Sequence, residues 1–324
     1  MNLITVLFIL LFGVMHPQPS LAQTACIQGD ANGDGKVTLA DFAVWRSIYL
    51  ANATSPTPTA VPGISPTIPP STSPSPTPGT SPSGEAMPLG NLTGWKQIFT
   101  EDFTQNATVG NFPGTAYATK WGYYPDGWED TAGKMGSPSQ YFTTKVVSVQ
   151  NGVLNKHLHF EDGTFMASAL VPQLTATNSH QLYGKFSVRF RAVNGAAGYK
   201  TAWLMWPESE QWPDDGEIDF PEGDLNSTIA AFHHYAQPAG MNPFQDAFIT
   251  NKTYATWHTA STEWKPGRIE FFLDGQSIGV TTTKVPSKPM RWVLQTESCL
   301  GGCPSQTATS DVQIDWVTAY SYNP

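Results

Sequence analysis

Residues 88–324 predict an all-β fold, a two-sheet β-sandwich of jelly-roll form. Three observations carry this. Phe186-Ser187-Val188-Arg189-Phe190-Arg191 alternates apolar and polar residues with the period of two that a half-buried strand requires. Arg268-Ile269-Glu270-Phe271-Phe272-Leu273 does the same and runs into Asp274-Gly275, a hairpin signal. No long stretch of helical period interrupts the short strands, and a chain of this size can close one large two-sheet core as a single domain.

Residues 1–22 read as an export signal. The apolar run 4–14 is too short for an ordinary membrane span. Ser20 and Ala22 are small residues at the two positions a signal peptidase reads, which puts cleavage after Ala22 and the mature protein outside the cell or at its surface. A lipid anchor on Cys26 is the rival, and Gln23 fits that pattern poorly. No other run suggests a transmembrane segment.

Residues 23–50 hold a second pattern. Asp30, Asn32, Asp34 and Asp41 place oxygen ligands at loop positions 1, 3, 5 and 12, Gly35 supplies the sharp turn, and Lys36 offers a backbone carbonyl at position 7. That order suits Ca2+, with an Asx-rich turn without metal as the alternative. Leu39, Phe42, Trp45, Ile48 and Tyr49 then recur at helical spacing. Asp41 at position 12 makes the segment similar to the calcium repeat of dockerin modules, which implies a protein partner. Such modules carry two repeats and this chain shows one, so a partner chain, a surface tag and an export tag all stay open.

Residues 51–87 are rich in Thr-Pro and Ser-Pro and cannot bury a core, so they read as a stiff linker. The net charge of −9 argues against nucleic-acid binding, which needs a basic face. Eleven Trp in a chain with 12% aromatic residues suit sugar stacking, as well as a large sandwich core. Cys299 and Cys303 flank a flexible Leu-Gly-Gly and are expected to pair locally, which leaves Cys26 over.

Within the strands, Glu217-Ile218-Asp219-Phe220-Pro221-Glu222 sets three carboxylates in a run that otherwise reads as buried, in a chain with 13% charged residues. Burying them is costly unless they are paired or used. Glu217 and Asp219 share a face of a pleated strand, whereas Glu222 lies at an odd offset and would point away. Pro221 marks a bulge, whose one extra residue restores the phase and brings Glu222 to the same face. Two carboxyls about 5–5.5 Å apart are the layout of a retaining glycosidase. The alternatives are an exposed acidic patch or a calcium site.

With Trp212-Pro213 and Gly216 before it, this Glu-x-Asp-x-x-Glu pattern resembles the signature of glycoside hydrolase family 16, in its laminarinase-like, insertion-bearing form. Gly184-Lys185-Phe186 through Trp203, Trp257-His258-Thr259 through Asp274-Gly275, and Ile314-Asp315-Trp316-Val317 through Tyr320 are similar to further strands of that family. The resemblance covers nearly all of residues 88–324. It implies a concanavalin A-like sandwich with an open cleft for a polysaccharide. It also implies Glu217 as nucleophile, Glu222 as general acid/base, and Asp219 holding a proton or hydrogen bond between them. Asp315 matches a position at which family members hold a structural calcium on the face opposite the cleft. No cofactor is implied for catalysis, and the protein is expected to be a monomer.

Substrate contacts follow with less support. Trp212 is similar to a family tryptophan lining the subsites beside the cut. Trp203 and Trp206 fall on opposite faces of one regular strand, so one of them belongs to the core. His233 and His234 alternate likewise, and His234 is the one expected in the cleft. His258 lies either near the site or in a structural hydrogen bond. Where laminarinases read Leu-Asn-Leu-Ala, this chain reads Leu294-Gln295-Thr296-Glu297, which would add an amide and a carboxylate to the cleft. The first expectation is a secreted retaining endo-glycosidase acting on a β-1,3- or mixed-linked β-glucan. A transglycosylase or a galactan-type hydrolase on the same residues, and a non-catalytic glycan-binding sandwich, are the alternatives.

Overall fold

The computed structural model describes residues 81–175, 178–237 and 244–324. The predicted export signal, Cys26, the calcium loop of Asp30, Asn32, Asp34, Lys36 and Asp41, and most of the linker lie outside the described residues.

The described residues form two facing sheets, as expected. The first runs in the order β16 (Gln276–Thr281), β15 (Arg268–Leu273), β14 (His258–Lys265), β9 (Gly184–Val193), β18 (Ser310–Tyr322), β5 (Val153–Glu161), β6 (Thr164–Ala167) and β3 (Ser139–Tyr141). The strands β1 (Trp95–Glu101) and β4 (Val147–Gln150) pair with β18 and β5. The second sheet runs β13 (Gln245–Thr253), β12 (Thr228–His234), β11 (Glu217–Asp224), β10 (Tyr199–Pro207), β17 (Met290–Ser298), β7 (Ala169–Pro172) and β2 (Trp121–Tyr123), with β8 (His180–Gln181) beside β17.

The alternation read from the sequence is the alternation that packs. In β15, Ile269, Phe271 and Leu273 are buried while their neighbours are half-buried. Asp274 and Gly275 both take positive φ, 51° and 75°, as the tight turn into β16 requires. Between the sheets lie Phe190, Trp203, Phe271, Trp264 and Trp292. Each such side chain contributes on the order of 1.5–3 kcal/mol of burial. A smaller apolar cluster of Tyr141, Ala167, Ala169, Val171, Leu204 and Val293, with Tyr124 and Trp206 packed against it, lies on the other face of the second sheet. That face carries the acidic strand.

The end of the Pro/Ser/Thr segment is docked rather than free. Glu85 carboxylate pairs with Arg189 at 2.9 Å and accepts from Thr259 at 2.9 Å, and its carbonyl accepts the Trp316 indole N–H at 2.8 Å. Arg189 and Trp316 are register partners on β9 and β18, pointing away from the core residue Phe190. Residues 81–87 thus cover the outer face of the first sheet, opposite the acidic strand. The expected disulfide joins Cys299 to Cys303.

Candidate active site

The acidic strand β11 is bulged where Pro221 predicts it. Asp219 pairs with Leu204 and Phe232, and Glu222 pairs with Ala202 and Ala230. Three steps along β11 therefore match two steps along each neighbour, which is one extra residue. Cross-strand partners share a face, so Glu222 stands on the same side as Asp219 while Phe220 packs into the core. Ala202 and Ala230, both small, are the residues that flank Glu222 on the neighbouring strands. Glu217, Asp219 and Glu222 are 7%, 2% and 0% exposed.

The three acids sit among specific partners. The Trp212 indole N–H donates to Glu217 Oε2 at 2.7 Å. His234 pairs with Glu217 across the strands, and its Nε2 lies 2.9 Å from Asp219 Oδ2. One ligating atom each of Glu217, Asp219 and His234 falls within 4.8 Å of the others. The arrangement holds two carboxyls close together, places an indole donor on one and an imidazole beside the other, and brings a third acid to the same face across a bulge. It can place a nucleophile and a proton donor on one reacting centre.

Replacing Trp212 by Phe removes the donor on Glu217 while keeping the ring. A hydrogen bond to a charged partner is worth about 1.5–3 kcal/mol, so kcat should fall roughly 10- to 100-fold. Steady-state kinetics on a soluble glycan checks this, and a variant within twofold of wild type contradicts it.

Several expectations are corrected. Trp203 is not a cleft residue: it is fully buried against Phe190, with ring centroids 5.2 Å apart, because it points to the same side as Met205. Its neighbour of opposite parity, Trp206, faces the cleft, where its indole N–H donates to Glu210 at 2.6 Å. His234 faces the acids as expected, but at 1% exposure it binds Asp219 instead of offering a surface to sugar. His233 points the other way and is fully buried. His258 is remote from the acids. It lies on the first sheet and its Nδ1 is 2.6 Å from Asp274.

Gln295 and Glu297 stand on the cleft face in register with Ala202 and Lys200. Glu297, however, is fully buried. It accepts from Gln295 Nε2 at 2.8 Å and from the Thr131 hydroxyl, which seals it from the cleft. Beside it lies Asp130, also fully buried, which accepts from the Ser139 hydroxyl, from Ser298 N at 3.0 Å and from Gly133 N at 2.8 Å. The extra carboxylate read from the sequence thus serves an internal network and not a subsite.

Burial, and then the Glu297 charge, push the Asp130 carboxyl up from 3.8 to about 6, against the hydrogen bonds that lower it. The folded state binds the proton more tightly than the unfolded chain. Its stabilising contribution, about 3 kcal/mol, is full below about pH 3.8 and is lost as pH rises through about 6. His233 works in the opposite sense: burial and then His234 lower it from 6.5 to about 4, so its contribution is lost as pH falls through that window. The clean readout is therefore a difference. Urea unfolding of wild type and Asp130→Asn from pH 4 to 7 should show the wild-type advantage shrinking by a few kcal/mol as pH rises. A pH-independent difference contradicts the assignment.

Asp315 lies opposite the cleft, at a bulge in β18 between Ile314 and Trp316. Its Oδ2 accepts from Ser83 N at 3.2 Å and from the Ser81 hydroxyl. These contacts tether residues 81–87 to the outer face of the first sheet.

The sequence reading missed Tyr124, Trp128 and Arg291. Tyr124 and Trp128 rings lie 5.9 Å apart, and Arg291, in register with Trp206, lies over Tyr124 and pairs with Glu210 at 2.6 Å. Trp128 is 57% exposed, a large apolar ring left in solvent beside the cleft. An exposed Trp in a segment of no evident period was the available signal.

Comparisons with known proteins agree with this architecture. The family model described as glycosyl hydrolases family 16 matches residues 140–318, more than half of the chain. A curated relative, the Beta-glucanase of Rhodothermus marinus, is 26% identical over 195 residues, which is 56% of this chain and 63% of that protein's length. Two solved structures share the fold. One is a non-specific endo-beta-1,3(4)-glucanase, at TM-score 0.56 and 20% identity over 73% of this chain and 94% of the other. The second is the catalytic domain of an endo-1,3-beta-glucanase (laminarinase) from Thermotoga petrophila, at TM-score 0.55 and 18% identity over 71% and 99%. No helix among the described residues is long and apolar enough to cross a membrane.

Proposed function

The chain belongs to glycosyl hydrolases family 16, and from that premise we propose that it is a retaining endo-β-glycanase acting on a β-1,3- or mixed-linked β-glucan. The observation that carries the reading is the bulge at Pro221, which turns Glu222 onto the face shared by Glu217 and Asp219. The β-glucanases it is similar to support the substrate class.

In this mechanism a Glu217 carboxylate oxygen attacks the anomeric carbon as the bond to the leaving oxygen breaks. Glu222 gives that oxygen its proton. A glycosyl ester on Glu217 results. Glu222, now a carboxylate, takes a proton from water, and the water oxygen displaces Glu217, which restores the first configuration at the anomeric carbon. Trp212 engages Oε2 of Glu217 and so helps to orient the attacking carboxylate. Asp219, held by His234, stands between the two stages as the group that passes or holds a proton.

The N-terminal segments extend the proposal to location. Residues 1–22 would export the chain, and the Asp30–Asp41 loop would bind Ca2+ and a protein partner at the far end of the linker.

Incubation of the protein with laminarin, lichenan, agarose and xyloglucan tests the reading. Laminarin or lichenan should yield shorter chains. Redistributed lengths would assign transfer, and no change in any of the four would overturn the enzymatic proposal.

A further inference from the structure

Beyond the acids, the same face of the second sheet opens into a cavity of about 560 Å3. Its position follows from register: Glu222 pairs with Ala202, and one pleat repeat further, Asp224 pairs with Lys200. The cavity thus begins about 7 Å along the strand from Glu222, on the side away from Glu217.

It is a built site. Lys200 is 3% exposed, and its Nζ lies 2.6 Å from Asp224 Oδ1. Asn226 and Ser227, exposed in the turn from β11 to β12, form one rim. The opposite wall is the loop closed by the Cys299–Cys303 disulfide. It is seated by Cys299 N donating to Gly198 O at 3.0 Å. That contact is close enough that a side chain at Gly198 would meet Gly302 O at 2.7 Å.

We propose that this cavity is a sugar-binding subsite on the Glu222 side of the bond that is cut, taking one neutral, hydroxyl-rich unit of the glycan. Its volume is within the range of ordinary small-molecule sites. Lys200 donates and Asp224 accepts, so the pair matches two adjacent hydroxyl groups without net charge. Among the described residues the lining includes no aromatic ring for stacking, which points to recognition through hydroxyl edges. The location of the subsite relative to the cut rests on the proposed roles of Glu217 and Glu222, whereas the pocket itself does not.

The test is calorimetry on the Glu217→Gln protein with gluco-, galacto- and xylogluco-oligosaccharides of two to six units, beside a cleavage assay of wild type on the polymers. Adding Asn226→Trp, which fills the rim from an exposed turn, or Lys200→Met should weaken binding of the longer oligosaccharides about tenfold. Each variant is to be compared at an unchanged Tm. Asn226→Trp keeps the test valid where loss of the buried Lys200 lowers Tm. Binding within twofold in Asn226→Trp overturns the subsite and leaves the enzymatic reading intact. Wild type that shortens no polymer while the variants still lose affinity overturns the enzymatic reading and supports the pocket. A parent protein that binds none of the oligosaccharides overturns the subsite as well.

Discussion

Glu217→Gln should lower kcat by about 10⁴-fold or more on any glycan the protein cleaves, about 5.5 kcal/mol of transition-state stabilisation, with folding intact. The amide keeps the size of the carboxylate and can still meet the Trp212 N–H through its oxygen, so the loss would be one of nucleophilicity. Glu222→Gln should fail differently. An aryl glycoside with an acidic leaving group needs no proton, so this variant should still release one equivalent of phenol in a burst and then stall, because no base activates water. Glu217→Gln should give no burst. Rapid-quench or stopped-flow absorbance separates the two, and a burst from Glu217→Gln would reverse the assignment of roles.

The second large effect concerns the backbone. Deleting Pro221 removes the one extra residue and leaves Asp219, Phe220 and Glu222 in plain alternation opposite Leu204, Trp203 and Ala202. Glu222 then still faces the cleft, so the deletion variant should keep measurable activity, within about 10²-fold of wild type. Pro221 donates no ladder hydrogen bond, and its loss removes none. Inserting Ala between Pro221 and Glu222 has the opposite outcome. With the bulge at Pro221 retained, the extra residue drives Glu222 toward the core face now occupied by Phe220 and Ile218, which removes the proposed general acid/base and buries a carboxyl among apolar groups. Activity should fall about 10²–10⁴-fold, the range for losing general acid–base catalysis. Stability should fall with it. Kinetics and thermal melts of the two variants side by side read both effects. An inactive deletion with an active insertion would show that the phase of the strand does not set the site.

The bulge was legible because its cause is local: a proline inside an acidic strand leaves few ways to use three carboxylates on one face. The two-sheet fold was legible for a similar reason, since Arg268–Leu273 carries its alternation and its turn within eight residues. Parity alone told that Trp203 and Trp206 divide between core and cleft. Which is which depends on the register of β10 against β11 and β17, and that is set by residues elsewhere in the chain. Glu297 shows the limit most clearly. Its strand position correctly placed it on the cleft face, yet the cover over it is Thr131, and its electrostatic neighbour Asp130 is joined to Ser298 across 168 residues of sequence. The ion pair of Lys200 with Asp224 is likewise a product of strand pairing. No local pattern encodes contacts of that kind.

The most direct measurement is the anomeric configuration of the first sugar released, followed by ¹H NMR within the first minutes of cleavage, before mutarotation. Two carboxylates brought to one face by the bulge, one attacking and one protonating, must return the anomeric carbon to the configuration it began with. The β-anomer should appear first from a β-linked glucan, with the α-anomer growing in later; an α-anomer at first appearance would contradict the double displacement and the pairing of Glu217 with Glu222 that underlies it.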